Sequence, residues 1–233
     1  MTDDWRLYAD DWWSDVLRVP RHAIRDGGVH ATHHLDHVGV ISVREAVAPL
    51  VYGPPELLPL LHAKWSNAAT LPMLARSLSD GLGSRARRVL GPAWYGYTDA
   101  TSVAVSDIDS VRALEERDLA ALDALHQQTP TAEREESGTT GLPAFGIFGD
   151  DRQLLAVACL GVWNDMPTIG VLTHPSARGQ GLARRVVAAA AQQGLRHRTV
   201  VQYRARVRNT TSISVAQRSG FRHYCDGLVI DLV

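Results

Sequence analysis

The stretch Val171-Leu172-Thr173-His174-Pro175-Ser176-Ala177-Arg178-Gly179-Gln180-Gly181-Leu182-Ala183 sets two glycines and an arginine between an apolar run and an alanine-rich segment. The apolar run reads as a strand, and the alanine-rich segment as a helix whose first turn begins inside the loop. The first N–H groups of a helix have no intrahelical partner, and the helix dipole makes that end locally positive. Gly179 and Gly181 remove side chains, so a phosphate can approach the backbone, and Ala183 keeps the approach open one step later. Arg178 adds a charged fork suited to phosphate oxygens. These residue types in this order make a cradle for a pyrophosphate.

Other chemistries need residues the loop lacks. A dinucleotide fingerprint wants glycine at 184, where the chain has Arg184, and an acidic ribose ligand about 20 residues on. The residues there are the strand Val201 to Arg204. A nucleoside-triphosphate loop wants Gly-Lys-Ser/Thr, which is absent. A plain strand-to-helix turn, with glycines for geometry alone, stays open beside the pyrophosphate reading.

Several side chains have the chemistry of a general base: His174, adjoining the loop, Asp165 in a hairpin turn, and Glu135 and Glu136 in an acidic run. His174 precedes Pro175 and also suits turn shaping, Asp165 also suits turn formation, and Glu135 and Glu136 also suit a solvated face. His30, His33, His34 and His37, with Asp36, would share one face of a helix and invite zinc. Gly28 and Gly39 bracket them, a strand-like run follows and no cysteine lies near, so the cluster reads as polar surface or acceptor pocket and no metal site is expected.

These groups need positioning. Trp5, Tyr8, Trp12 and Val16 recur as on an amphipathic helix, Val38 to Val47 reads as strand, and Leu57, Leu58, Leu61 and Trp65 mark a second helix. Farther on, Ser110 to Leu114 suits a short strand, followed by a helix through Asp118, Leu119, Leu122 and Leu125. The polar stretch Thr129 to Gly141 reads as loop or a loosely held helix. Strands Ala144 to Phe148, Leu154 to Val162 and Thr168 to Thr173 form an antiparallel meander. A helix from Leu182 to Gln193, a strand from Thr199 to Val207, a helix from Ser212 to Arg218 and a final pair of strands complete the chain. On the strand, Val201, Tyr203, Ala205 and Val207 alternate with Gln202, Arg204, Arg206 and Arg208, which read as a solvated face or an attraction for phosphates.

Composition bounds the answer. With 233 residues, 45% hydrophobic and 21% charged, the chain suits one large domain or two small ones and excludes general disorder. Cys159 and Cys225 are the only cysteines, too few for a disulfide scaffold. The acidic, aromatic start is no secretory signal, and no apolar stretch is long enough to span a bilayer. A soluble cytoplasmic protein without a membrane partner is the expectation. Lys+Arg is 24 and Asp+Glu is 25, which argues against a nucleic-acid partner.

Arg178-Gly179-Gln180-Gly181-Leu182-Ala183 fits the Arg/Gln-x-x-Gly-x-Gly/Ala signature of the GNAT N-acetyltransferase superfamily. Asn209-Thr210-Thr211-Ser212, followed by Ser219-Gly220-Phe221, resembles the second motif of that superfamily, an Asn-x-x-Ser helix ending in Gly-Phe. The resemblance covers about 110–233. It implies an α/β fold, a twisted, mostly antiparallel mixed sheet flanked by helices, with an acyl-CoA-binding domain over 106–233; the residues before it, 1–105, lie outside its motifs and read from their own pattern as an N-terminal α+β region. That region, with Trp65, Trp94, Tyr95 and Tyr97, is a candidate wall for an acceptor groove or an interface.

The resemblance also implies roles for residues. Acetyl-CoA is the expected co-substrate, with its pyrophosphate on Arg178, Gly179, Gln180, Gly181, Leu182, Ala183 and Arg184. The pantetheine arm would run beside Val171, Leu172 and Thr173, and near Asn209 and Ser212, although Ser212 also suits helix capping. A bulge in the strand Ile169 to Thr173 would open a gap to the next strand and aim the Leu172 N–H at the thioester carbonyl as oxyanion donor. Many relatives carry a tyrosine seven residues after the motif asparagine to protonate the thiolate; here that position is Ala216. The implied activity is acyl transfer from coenzyme A to a primary amine, small molecule or peptide. A non-catalytic acyl-CoA sensor is the alternative, and a homodimer is left open.

Overall fold

The computed structural model describes residues 4–33, 36–66, 69–103 and 108–233. The chain divides into two compact units, Met1–Tyr95 with Arg206–Arg208 and His223–Val233, and Gly96–Ala205 with Asn209–Arg222.

In the first unit, helix α1 (Asp4–Leu17) buries Trp5, Ala9, Trp13 and Leu17, a strict four-residue period. Tyr8, Trp12 and Val16, expected on the inner face, flank that stripe and are half-buried. Helix α2 (Arg21–Asp26) follows Pro20. Between them the buried Asp10 accepts from Tyr224 Oη at 2.6 Å and from Arg25 Nε at 2.8 Å, so its charge is paired rather than stranded. Strands β1 (Gly28–Ala31), β2 (His37–Val43) and β3 (Leu50–Gly53) come next. The strand expected to reach Val47 stops at Val43, because Glu45 turns the chain at φ +64°.

Helices α3 (Leu58–Lys64) and α4 (Leu71–Leu82) then lead into β4 (Ala86–Asp99). Leu61, Leu74 and Leu78 pack on Val38, Val40, Val51 and Ile230 as the core of this unit. The pair of strands expected at the C-terminus is instead one strand, β10 (Arg222–Leu232). It lies antiparallel to β2, which is antiparallel to β3, while β3 runs parallel to β1.

The second unit holds β5 (Arg112–Ala113), α5 (Leu119–Gln127), α6 (Thr131–Ser137), β6 (Ala144–Phe148), β7 (Leu154–Trp163), β8 (Met166–Thr173), α7 (Leu182–Leu195), β9 (Val200–Arg206) and α8 (Thr210–Arg218). The order is β9-β8-β7-β6-β5. The β5, β6, β7 and β8 neighbours pair antiparallel, and β8–β9 is parallel. Leu114, Leu122, Leu125, Leu154, Val157 and Leu172 close a core on one face. Helix α7 buries Val186, Val187 and the alanines from 188 to 191. The small alanine side chains let this helix lie close to the sheet. Mostly antiparallel sheet flanked by helices is thus the plan of both units, as the α/β expectation required.

Gln202 departs from the expected solvated face. It is buried, and its Nε2 donates to Tyr97 Oη at 2.8 Å, whereas Arg204, Arg206 and Arg208 are exposed.

Candidate active site: the fork between β8 and β9

Strand β8 is laddered along its whole length on one side only. Against β7 the register runs unbroken from Trp163–Met166 to Ala156–Thr173, so the expected bulge is absent. Against β9 the parallel ladder consists of Thr168–Gln202 and Ile169–Tyr203. From Gly170 to Thr173 the two strands are not paired, so a fork opens toward the glycine loop without any bulge to make it.

Which backbone groups face the fork follows from parity. The His174 N–H donates to the Leu155 carbonyl at 2.8 Å, on the β7 side. In an antiparallel ladder the bonding residues alternate, so Leu172 and Gly170 also turn their N–H and C=O toward β7. Val171 and Thr173 turn theirs toward β9, where the ladder has ended. The N–H of Leu172, expected as oxyanion donor, therefore faces β7 rather than the fork. The Leu172 side chain is buried in the core.

The loop beyond Thr173 is held by His174. Its Nε2 lies 2.7 Å from Gln128 Oε1, an acceptor that also takes a bond from Gln153 Nε2 at 3.0 Å. A hydrogen on Nε2 satisfies the Gln128 contact. Nδ1 accepts from the Ser176 N–H at 3.2 Å and lies 2.7 Å from Ser176 Oγ, capping the short 3₁₀ turn Pro175–Ala177. Through these contacts His174 shapes the turn.

Gly179 and Gly181 adopt φ of +79° and +76°, a conformation that costs an ordinary residue about 1–2 kcal/mol. A Cβ at either would meet nothing within 4 Å, so close packing is not what requires glycine here. Gly181 is the N-cap of α7 and no side chain caps its first turn, leaving those N–H groups to solvent or a ligand. Leu182 is buried, Ala183 half-buried, and Gln180 and Arg184 are exposed. Arg178 reaches Glu133 on α6 at 2.7 Å, with both side chains about half exposed.

Helix α6, expected as loop or loose helix, has no buried residue. Its end crosses β8 closely: a Cβ on Gly170 would run into the backbone of Ser137 and Gly138. Behind it, Ser137 Oγ lies 2.6 Å and His126 Nε2 2.9 Å from the buried Thr139 Oγ1. Nothing in the spacing of these residues marked this network in advance. Glu135 is exposed and Glu136 half-buried on α6.

Asn209 and Ser212 open α8. Asn209 Oδ1 accepts from the Ser212 N–H at 3.0 Å, so the asparagine is the helix cap, the role considered for the serine. Ser212 Oγ lies 2.9 Å from Tyr203 Oη. Ala216, one turn later, is buried. Asp165 is not part of the fork. It sits at φ +63° in the β7–β8 turn with its side chain 94% exposed, and the Thr168 and Ile169 rungs separate it from the unpaired part of β8.

In the first unit, Trp94 is buried and stacks on His223 at 5.4 Å, and Tyr95 packs edge-on to Trp13 at 5.3 Å. His30 Nε2 lies 3.3 Å from the Gly27 carbonyl and His37 meets the Tyr52 ring edge-on. These two histidines lie in separate strands rather than on one helix, and His34 falls outside the described residues. Among the described residues no group of three or more His, Cys, Asp or Glu gathers as a metal would need, and no helix is long and apolar enough to cross a membrane.

A family model described as "Acetyltransferase (GNAT) domain" matches residues 98–222, more than half of the chain. No curated protein sequence matches. Among solved structures, the chain is similar to a GNAT-family protein from Novosphingobium aromaticivorans at 24% identity, covering 62% of this chain and 65% of that one with a TM-score of 0.51. It thus spans just under two thirds of that relative's length. It is also similar to a GNAT-family acetyltransferase from Colwellia psychrerythraea at 16% identity, covering 84% and 81% with a TM-score of 0.52. A Drosophila protein shares 14% identity over 98% of this chain and 88% of its own, with a TM-score of 0.52. At these identities the likeness is one of fold.

Proposed function

Because the chain belongs to the GNAT acetyltransferase family, we propose that it transfers an acetyl or short acyl group from coenzyme A to a primary amine. The observation that carries this reading is the fork: a strand with N–H groups at Val171 and Thr173 outside any ladder, ending in an open glycine loop at a helix N-terminus. An extended pantetheine arm can pair with the vacant edge of β8 as a further strand would. The loop from Arg178 to Ala183, with Arg184, then receives the pyrophosphate.

The chemistry has three demands. The oxyanion of the tetrahedral intermediate needs a donor, and Val171, the first N–H beyond the ladder, takes the role expected of Leu172. The amine must attack in its neutral form, and an alkyl ammonium has a pKa near ~10.4, so its proton must be collected by a base or water. With His174 committed to the turn and Asp165 outside the fork, solvent reached past α6, beside Glu135 and Glu136, is the proton acceptor we favour. The thiolate must leave, and Ala216 offers it no proton. The acceptor is a small-molecule or peptide amine.

Titration calorimetry with acetyl-CoA tests the binding half. Gln180→Glu adds a carboxylate beside the phosphate site without straining a positive-φ glycine, and it should weaken binding at least about five-fold. Equal affinity in both proteins would remove the loop from the coenzyme site. A panel of amines with thiol-release detection tests the transfer half. Release should depend on amine and rise with pH as the amine loses its proton. Tight acetyl-CoA binding with only slow thioester hydrolysis would instead support an acyl-CoA sensor, the reading that Ala216 favours.

A further inference from the structure

The fork begins at the Tyr203 rung. Tyr203 forms the last rung of the parallel ladder with Ile169, at the point where β8 and β9 part. Its ring is almost fully buried and packs edge-on to Phe221 at 5.4 Å. Its hydroxyl lies 2.9 Å from Ser212 Oγ. Ser212 precedes Ala216 by one helical turn, so the two share a face of α8. The side chain at 216 is a buried methyl group, and Ser212 sets a hydroxyl on the same face one turn earlier.

Resting on the acyl-transfer reading above, we propose that Tyr203 is a positioning residue: it donates its hydrogen bond to Ser212 Oγ, which turns the Ser212 hydrogen toward the sulfur of the departing coenzyme. The 2.9 Å contact admits two arrangements. If Ser212 donated to Tyr203, its hydrogen would be spent. If Tyr203 donates, the serine hydrogen is available for another acceptor. Burial pushes the Tyr203 hydroxyl up to about 12, so it keeps its hydrogen across the working pH range and has one to donate. The serine backbone is fixed separately by the Asn209 cap at 3.0 Å. Main chain and side chain of Ser212 are thus each held by one partner.

The step balances without a proton leaving either hydroxyl. As the tetrahedral intermediate collapses, the C–S bond breaks and its electron pair goes to sulfur. The Ser212 O–H donates a hydrogen bond to that thiolate. The proton that finally neutralises it is the one the amine gave up to solvent during attack. Charge-assisted hydrogen bonds of this kind are about twice as strong as neutral ones, and this one forms only as charge develops on sulfur, so it belongs in kcat rather than in coenzyme affinity.

The test is steady-state kinetics on Tyr203→Phe, Ser212→Ala and the double variant, with melting curves and acetyl-CoA calorimetry on each. Tyr203→Phe keeps the ring and its packing on Phe221. It should lower kcat about three- to ten-fold while leaving the acetyl-CoA Kd within two-fold (~0.4 kcal/mol). Ser212→Ala should lower kcat at least as much, and the double variant no further than Ser212→Ala alone. Unchanged kcat in Tyr203→Phe, or losses that multiply in the double variant, would overturn the inference. A Kd change with kcat intact would assign Tyr203 to coenzyme binding and also overturn it. If the wild-type protein binds no acetyl-CoA or releases no thiol, the acyl-transfer reading has failed instead.

Discussion

The Arg178 guanidinium, the charged fork of the proposed phosphate loop, is held by the Glu133 carboxylate of α6 at 2.7 Å. A pyrophosphate arriving at the loop competes with that carboxylate for the same cation. Glu133→Gln should therefore tighten acetyl-CoA binding, by up to about five-fold because the pair is half exposed and screened by solvent. The gain should shrink as salt rises. Calorimetry at two ionic strengths checks it, and weaker binding in the variant would show that Glu133 supports the site rather than competing with it.

His174 should behave as a structural cap. His174→Ala removes the acceptor of the Ser176 N–H and the link to Gln128, so the loop should loosen and the KM for acetyl-CoA should rise, at a cost of about 0.5–2 kcal/mol. The pH profile of kcat should keep its shape. A profile that loses its rising limb in the variant would make His174 the base after all.

Gly170 and Gly138 approach backbone to backbone where α6 crosses β8. Gly170→Ala would drive a Cβ into the Ser137–Gly138 main chain, and overpacking of this kind costs about 1–3 kcal/mol. Melting should fall by several degrees, roughly 2–12 °C. A variant that melts with the wild type would mean that α6 lifts off the strand at little cost.

Asp118 accepts two bonds from Arg112, each of 2.7 Å, and one from the Glu115 N–H at 2.9 Å. The Arg112 bonds first, then the Glu115 N–H, hold its carboxyl well below the usual carboxylate range. A depressed acid stabilises the fold fully above its unfolded value near ~3.9 and loses that contribution as pH falls toward the folded value. Asp118→Asn should thus be less stable than wild type at neutral pH, with the difference narrowing below about pH 4. Denaturation at pH 7 and pH 3 measures it. A gap that widens at pH 3 would contradict the assignment.

The glycine loop was legible in the sequence because its requirements are local: positive φ at Gly179 and Gly181 and a helix starting at once leave little choice of residue. The meander was legible for a similar reason, since alternating apolar runs joined by Gly149-Asp150-Asp151 and Asn164-Asp165 specify hairpins. The direction in which the Val171 N–H points was not. Parity depends on which edge of β8 bonds to β7, and a shift of one residue exchanges the two edges. Resemblance suggested Leu172, and one hydrogen bond, His174 to Leu155, turns the Leu172 N–H toward β7. Gln202 read as solvated because its neighbours in the row are arginines, yet its amide is satisfied by Tyr97 from a strand about a hundred positions away. Helix α4, with Gly81 in its last turn and Gly83 at its C-cap, passed unnoticed, although Leu74, Leu78 and Leu82 carry its buried stripe. The bond between Tyr203 and Ser212 is likewise a product of tertiary placement, joining a strand to the start of the next helix.

Amide hydrogen exchange, resolved residue by residue with and without saturating acetyl-CoA, tests the fork most directly. Without coenzyme the Leu172 N–H should already be slow, since it bonds to β7, while the Val171 and Thr173 N–H groups exchange faster. Acetyl-CoA should slow Val171 and Thr173 and leave Leu172 nearly unchanged. Binding of acetyl-CoA with no added protection at Val171 or Thr173 would contradict the placement of the coenzyme on the open edge of β8.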